Sequence, residues 1–157
     1  MFGFGKRKSK LDDHQKIKLA DGLADMLAMQ MVFAKVDQPG VTKIEAKRGH
    51  INQKAIGYIY GFIDCALQSR REDTSDVSVS VPIVYYVMHR LFPGQEETYT
   101  DYLLGHANDE MVVLGMMKGG QQYSQFIARP GHKGVPMGLA SFILDEQEKQ
   151  SSKTAVR

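Results

Sequence analysis

Apolar residues recur at helical spacing along most of the chain, and this pattern predicts a succession of helices. The first helix is predicted from Asp12 or Asp13 to Val36. Acidic residues open it, which suits the positive end of the helix dipole, and the segment Gln38-Pro39-Gly40 is a typical stop signal.

A second helix is predicted to start near Lys43, after Thr42, and to run to about Arg70. Thr42 has the chemistry of an N-cap, and Glu45 stands three residues later, which is the capping-box spacing. The polar segment 71–76 then predicts a turn.

The segment from Val77 to Phe92 carries two patterns. Val77, Val79 and Val81 alternate with serines, as in a strand. Pro82 and the apolar run after it favour a helix with the proline in its first turn. Helix is the favoured interpretation, and Pro93-Gly94 is expected to break it.

A fourth helix is predicted from Glu96 to Lys118, ending at Gly119-Gly120 or continuing through residues 121–128. After the loop ARPGHKGVPMG, a last helix is predicted over about Val135 to Lys149. The chain is therefore expected to be an all-α, single-domain bundle of about five helices over residues 11–149. The alternative is an α+β fold with short strands near 77–81 and 123–128.

Composition places the chain among ordinary globular proteins, with 43% hydrophobic and 24% charged residues and a single cysteine, Cys65. The net charge of +2 is uneven, because positive charge is concentrated in residues 1–10 and 149–157. Residues 1–10 and 150–157 are predicted to be flexible tails. The remaining body carries more acids than bases, so nucleic-acid binding is not expected.

The first ten residues, MFGFGKRKSK, do not have the pattern of a signal peptide, since no apolar stretch follows their charges. No uncharged apolar run approaches the roughly 18 residues of a spanning helix, so a cytoplasmic location is the expectation. Phe2 and Phe4 stand beside four cations in this tail. A weak contact with anionic membranes is therefore a further hypothesis.

The stretch GYIYGFIDCALQ, residues 57–68, combines two glycines and a carboxylate with apolar residues. On a helix, Gly57, Gly61, Asp64 and Gln68 share one narrow face. Glycine costs a helix about 1 kcal/mol relative to alanine, so its repetition needs a reason. Close packing of another helix is the favoured one. A ligand cleft presenting Asp64 and Gln68, or a merely exposed face, are the alternatives.

The fourth predicted helix repeats the four-residue spacing at Gly115 and Gly119, which makes it the expected partner of this face. Aligning the predicted helix starts in a parallel arrangement places Gly61 beside Leu114 or Gly115. The same alignment brings Asp64 within reach of Lys118, so an ion pair between them is a hypothesis that follows from it.

Few residues suggest chemistry. His106 and Glu110 stand four apart and would share a helical face, but no third metal ligand is spaced near them. Arg129, His132 and Lys133 lie among glycines in a loop that could hold an anion. Cys65, in an apolar helix, has the pattern of packing rather than of a nucleophile. No cofactor and no metal are predicted.

Two classes of function remain open. The favoured one is a non-enzymatic helical module that binds a protein partner or itself, which fits the small-residue faces and the abundant methionines. The alternative is a small-ligand-binding protein or an enzyme with a cleft on the face of Gly57, Gly61 and Asp64. Asp64, Gln68, His106, Glu110, Arg129, His132 and Lys133 are the candidate binding residues.

Overall fold

The computed structural model describes residues 10–34, 44–47, 50–129, 131, 134 and 136–154. Within these residues the chain forms six helices and two very short antiparallel strands. In chain order the elements are α1 (Asp13–Phe33), β1 (Glu45–Lys47), β2 (His50–Ile51), α2 (Gln53–Ser69), α3 (Val77–Leu91), α4 (Glu96–His106), α5 (Glu110–Ala128) and α6 (Gly138–Thr154). The prediction of an all-α bundle is confirmed, with six helices instead of about five.

The first helix begins where its local signals predict. An Asp12 carboxylate oxygen accepts a hydrogen bond from the Gln15 backbone N–H at 2.7 Å, and the Gln15 side chain accepts one from the Asp12 N–H at 3.0 Å. These two bonds form a reciprocal capping box, which satisfies two backbone donors at the helix start. The segment Gln38-Pro39-Gly40, predicted to end this helix, lies outside the described residues.

The segment after Asp76 is one helix, so the alternative of a strand at 77–81 is wrong. Val79, Ile83 and Val87 are buried at helical spacing, whereas Val77 is 66% exposed. A strand would have buried alternate valines, but burial here follows the helical period. Pro82 was predicted to lie in the first turn of this helix, but it stands in the helix interior. The other predicted strand, 123–128, belongs to α5.

The second helix begins later than predicted, because Glu45 belongs to a strand and Asn52 is the cap. Strand β1 pairs with β2, with Glu45 opposite Ile51. The side-chain oxygen of Asn52 then accepts a hydrogen bond from the Ala55 N–H at 3.0 Å and begins α2. Thr42, the predicted cap, lies outside the described residues.

The predicted fourth helix is two helices, α4 and α5. Between them the Asp109 N–H donates to the His106 carbonyl at 3.0 Å, and the Asp109 carboxylate lies 2.7 Å from His106 Nδ1. This turn separates α4 from α5. Helix α5 then continues to Ala128, as the longer of the two alternatives predicted. Helix α6 starts at Gly138 and runs to Thr154, into the segment predicted to be a tail.

Helix α2 is the centre of the molecule and contacts each of the other five helices. Its side chains are buried on nearly all sides, which explains why its sequence is apolar around most of its circumference. Tyr58 stacks on Phe62 at 5.9 Å between ring centroids. Tyr123 of α5 and Phe142 of α6 meet these two rings edge-on. The aromatic core therefore joins α2, α5 and α6.

Candidate functional site

Gly57 and Gly61 lie against the backbone of α5. A Cβ atom added at Gly57 would stand 2.1 Å from the Val112 carbonyl oxygen, and one at Gly61 would stand 2.0 Å from the Met116 carbonyl oxygen. Both distances are far inside van der Waals contact, so these positions accept no side chain without moving a helix backbone.

The contact is reciprocal. A Cβ atom at Gly115 would stand 2.2 Å from the Lys54 carbonyl oxygen, and one at Gly119 would stand 2.1 Å from the Tyr58 carbonyl oxygen. Each helix thus presses its backbone into the gap that the other helix's glycines leave. We call these four residues the glycine seam.

The glycine seam confirms the packing interpretation of the sequence. Residue numbers rise together along the two helices, from Gly57 beside Val112 to Gly61 beside Met116, so α2 and α5 run parallel as predicted. The register is shifted by one or two residues from the prediction, which placed Gly61 beside Leu114 or Gly115. Because α5 fills this face, the alternative of a ligand cleft floored by Gly57 and Gly61 is wrong.

Asp64 and Gln68 interact with each other at the edge of the seam. The Gln68 side-chain amide donates to the Asp64 carboxylate at 2.7 Å, a bond between residues four apart on α2. The hypothesis of an ion pair between Asp64 and Lys118 is wrong, because the structure holds no such contact between these two described side chains. Burial, with a smaller contribution from Asp64, raises the pKa of Tyr60.

The outer face of α5 is apolar and exposed. Away from the glycine seam, Val113, Leu114 and Met117 present their side chains to solvent, and Met117 is 67% exposed. Met111, one helical turn before Gly115 and so at the edge of the seam, is exposed as well. We call this surface, together with the flanking Glu110 and Lys118, the α5 ridge. A row of large apolar side chains on an otherwise well-packed helix is the usual mark of an interaction surface.

His106 belongs to a polar cluster and not to a pair with Glu110. The Gln53 side-chain amide donates to the Tyr102 hydroxyl at 3.0 Å and to the Asp109 carboxylate at 3.2 Å. The His106 ring stacks on Tyr102 at 4.1 Å between centroids and contacts Asp109 through Nδ1. Glu110 lies on the next helix and is exposed, so the predicted shared face of His106 and Glu110 does not form.

Two open grooves lie on the surface of the described part of the chain. One, of about 500 Å³, is lined by His50, Ile51, Asn52, Gln53, Lys54, Tyr102, Met111, Glu146 and Lys149. The other, of about 450 Å³, is lined in part by Arg129, Gln122 and Phe126. Arg129 is thus placed beside a groove, whereas His132 and Lys133 lie outside the described residues. Among the candidate binding residues that lie in the described part of the chain, only Asp64 and Gln68 are brought together.

Sequence reasoning missed a buried polar node at the start of α6. The Tyr58 hydroxyl donates to Gln122 Oε1 at 2.6 Å, and the same oxygen accepts the Gly138 N–H at 2.8 Å. Gln30 of α1 accepts the Leu139 N–H at 3.1 Å. Two glutamines from other helices therefore satisfy backbone donors that begin α6. The sequence feature that could have indicated this node is Tyr58, because a tyrosine in a buried segment needs a hydrogen-bond partner for its hydroxyl.

Ionisation of Tyr58 is strongly disfavoured in this node. Burial raises the pKa of Tyr58 to about 12, against smaller opposing contributions from the Gln30 side chain and the Gly138 backbone. The phenol therefore stays neutral and acts as a hydrogen-bond donor at physiological pH.

Within the described residues, no three histidine, cysteine, aspartate or glutamate side chains come together in a way that could hold a metal ion. No helix in the described part of the chain has the length and apolar character needed to cross a membrane. No family model, no curated protein and no solved structure shows significant similarity to the chain. Its function has to be inferred from its own contacts and surfaces.

Proposed function

We propose that the chain is a non-enzymatic helical interaction module that binds a protein through the α5 ridge. The observation that carries the proposal is the exposure of Leu114 and Met117 on the outer face of a helix whose inner face is packed against α2, with Met111 exposed at the edge between the two faces. Covering these side chains removes apolar surface from water at about 25 cal/mol per Å².

The glycine seam supports this proposal because it fixes the position of the ridge. With its backbone pressed against α2, α5 has little freedom to rotate or bend, so a partner meets a surface that is already organised. Methionine side chains are flexible and polarisable, and they adapt to the shape of the surface that covers them. A rigid helix carrying adaptable side chains is well suited to binding.

A site-specific photocrosslinker at Met117, in the full-length protein in its native cells, tests the proposal. The matched control places it at Tyr85, which is 43% exposed on α3, away from the ridge. We expect a discrete adduct from position 117 that is absent from position 85. The adduct should disappear when Leu114→Glu is added, since a charge at the centre of the ridge opposes apolar contact.

The crosslinked protein, identified by mass spectrometry and purified, is then measured directly against wild-type and Leu114→Glu chains. We expect the variant to lose about tenfold or more in affinity, corresponding to about 1.4 kcal/mol. Circular dichroism checks that the variant keeps its fold, as expected for a side chain that is 43% exposed. Equal affinity of the two chains, or identical adducts from positions 117 and 85, would contradict the proposal.

A further inference from the structure

We infer that the occupant of the α5 ridge is a second copy of this chain, docked antiparallel about a twofold axis at Leu114. This inference rests on the proposed function and specifies its partner. The argument comes from the order of side chains along the ridge, which is self-complementary about a single residue.

Two rows of side chains cross at Leu114. The row with four-residue spacing is Glu110, Leu114 and Lys118, and the row with three-residue spacing is Met111, Leu114 and Met117. Both spacings place side chains on one side of a helix, and both rows are the ridges that helices use to pack. Each row extends equally far on both sides of Leu114.

A twofold axis through Leu114 pairs each residue with the one at equal distance on the other side. Glu110 then faces Lys118 of the second copy, and Met111 faces Met117 of the second copy. Leu114 meets its own equivalent. The two opposite charges are thereby matched twice across one interface, with apolar side chains between the matched pairs.

The alternative orientation is disfavoured by the same residues. If two copies packed with their α5 helices parallel about a twofold axis, Glu110 would face Glu110 and Lys118 would face Lys118. Like charges placed opposite each other across an interface cost binding free energy. The charge order therefore selects the antiparallel arrangement.

Both charged residues are available for this contact. Glu110 and Lys118 are exposed, and neither forms an ion pair or side-chain hydrogen bond with any other residue in the described part of the chain. The apolar side chains between them are exposed as well. A ridge on one helix makes an interface at the small end of the usual range, so we expect a reversible dimer.

Sedimentation equilibrium of the full chain, at concentrations up to about 1 mM, measures this association. We expect Glu110→Lys and Lys118→Glu each to weaken it by about tenfold or more, because each change creates two like-charge contacts per dimer. The double variant, carrying both changes in one chain, should recover to within about threefold of the wild type. Thermal unfolding of every variant checks that α5 remains folded.

A second measurement does not depend on charge. In a Cys65→Ala background, Leu114→Cys places a thiol on the proposed axis, and mild oxidation should join two chains through it. Leu104→Cys is the matched control, since Leu104 is 54% exposed on α4 and lies off the axis. We expect the disulfide-linked dimer from position 114 and little from position 104.

The outcomes separate this inference from the proposed function. If the chain stays monomeric at all concentrations while the crosslinker at Met117 captures a different protein, the inference of self-association is wrong. The proposal that the ridge binds a protein is then still supported. A dimer that is insensitive to both charge changes, with equal linking at positions 104 and 114, also overturns the inference. Loss of every adduct at Met117 overturns both.

Discussion

The glycines of this chain occupy two kinds of position that the sequence alone does not distinguish. At Gly57, Gly61 and their partners on α5, a single methyl group would overlap a backbone carbonyl. At Gly22 in α1, nothing lies within 4 Å of the place a Cβ atom would take. Glycine is therefore required at the seam, whereas at Gly22 it only lowers the helix propensity of α1.

The first prediction compares alanine at these two positions. Gly61→Ala should lower the free energy of unfolding by about 1–3 kcal/mol, because the methyl group forces α2 and α5 apart. Gly22→Ala, on an exposed face, should raise it by about 0.5–1 kcal/mol through better helix propensity. Urea denaturation of both variants measures the difference. Changes of the same sign would contradict the role given to the seam.

The helix faces that form the glycine seam could be predicted from the sequence, but the exact register of α2 against α5 could not. Gly57, Gly61, Gly115 and Gly119 lie on helical faces defined by local spacing. Their alignment depended on helix starts placed near Lys43 and Glu96, and both helices of the pair start later, at Gln53 and Glu110. The two errors have the same direction, so they largely cancelled in the alignment.

At the scale of whole elements, helix starts are of two kinds. Some are capped by neighbouring residues, and others by residues that are distant in the chain. Helix α1 is capped by its own neighbours, Asp12 and Gln15, and its start was predicted. The first N–H groups of α6 are bound by Gln122 and Gln30, which are far away in the chain. Such capping leaves no local pattern, so the start of α6 was predicted a few residues too early.

The second prediction follows from this non-local capping. Gln122→Ala should lower the free energy of unfolding by about 2 kcal/mol or more, because it leaves the Tyr58 hydroxyl and the Gly138 N–H buried without their acceptor. The neighbouring Gln121→Ala is the matched control, since Gln121 is exposed and should tolerate the change.

Hydrogen exchange locates this effect within the molecule. In Gln122→Ala we expect the amides at the start of α6 to exchange faster relative to those of α2, because the lost contacts hold α6 to the bundle. A uniform increase over all helices would argue against a specific docking role for Gln122.

For the molecule as a whole, the all-α fold class could be predicted from the sequence, but the central position of α2 could not. Helical periodicity over most of the chain was enough to predict an all-α bundle. That α2 is enclosed by all five other helices depends on tertiary contacts such as those of Tyr58, which touch α1, α5 and α6 together. The stability of the whole domain should therefore respond to the charge state of this one phenol.

The third prediction is a loss of stability at alkaline pH. Folding raises the pKa of Tyr58 to about 12 from an ordinary value near 10, so the folded chain holds the proton more tightly than the unfolded chain. The resulting stabilisation is fully present below about pH 10 and is lost as pH rises towards 12. Two pKa units correspond to about 1–3 kcal/mol.

Tyr58→Phe is the matched control, since it removes the hydroxyl and keeps the ring. Both chains keep every other titratable side chain, so the difference between their unfolding free energies isolates the effect of the Tyr58 hydroxyl. We expect this difference to be constant below about pH 10 and to fall steadily above it. A difference that does not change with pH would show that Tyr58 ionises as easily in the folded chain as in the unfolded one.

The pairing of α2 with α5 also sets the order in which the chain can fold during synthesis. Helix α2 emerges from the ribosome well before α5, and until Ala128 has been made its glycine face has nothing to pack against. Because α2 is apolar around most of its circumference, a nascent chain that ends between α2 and α5 leaves apolar surface exposed to solvent. Burial of α2, the central helix, is therefore completed only after the later helix has been made.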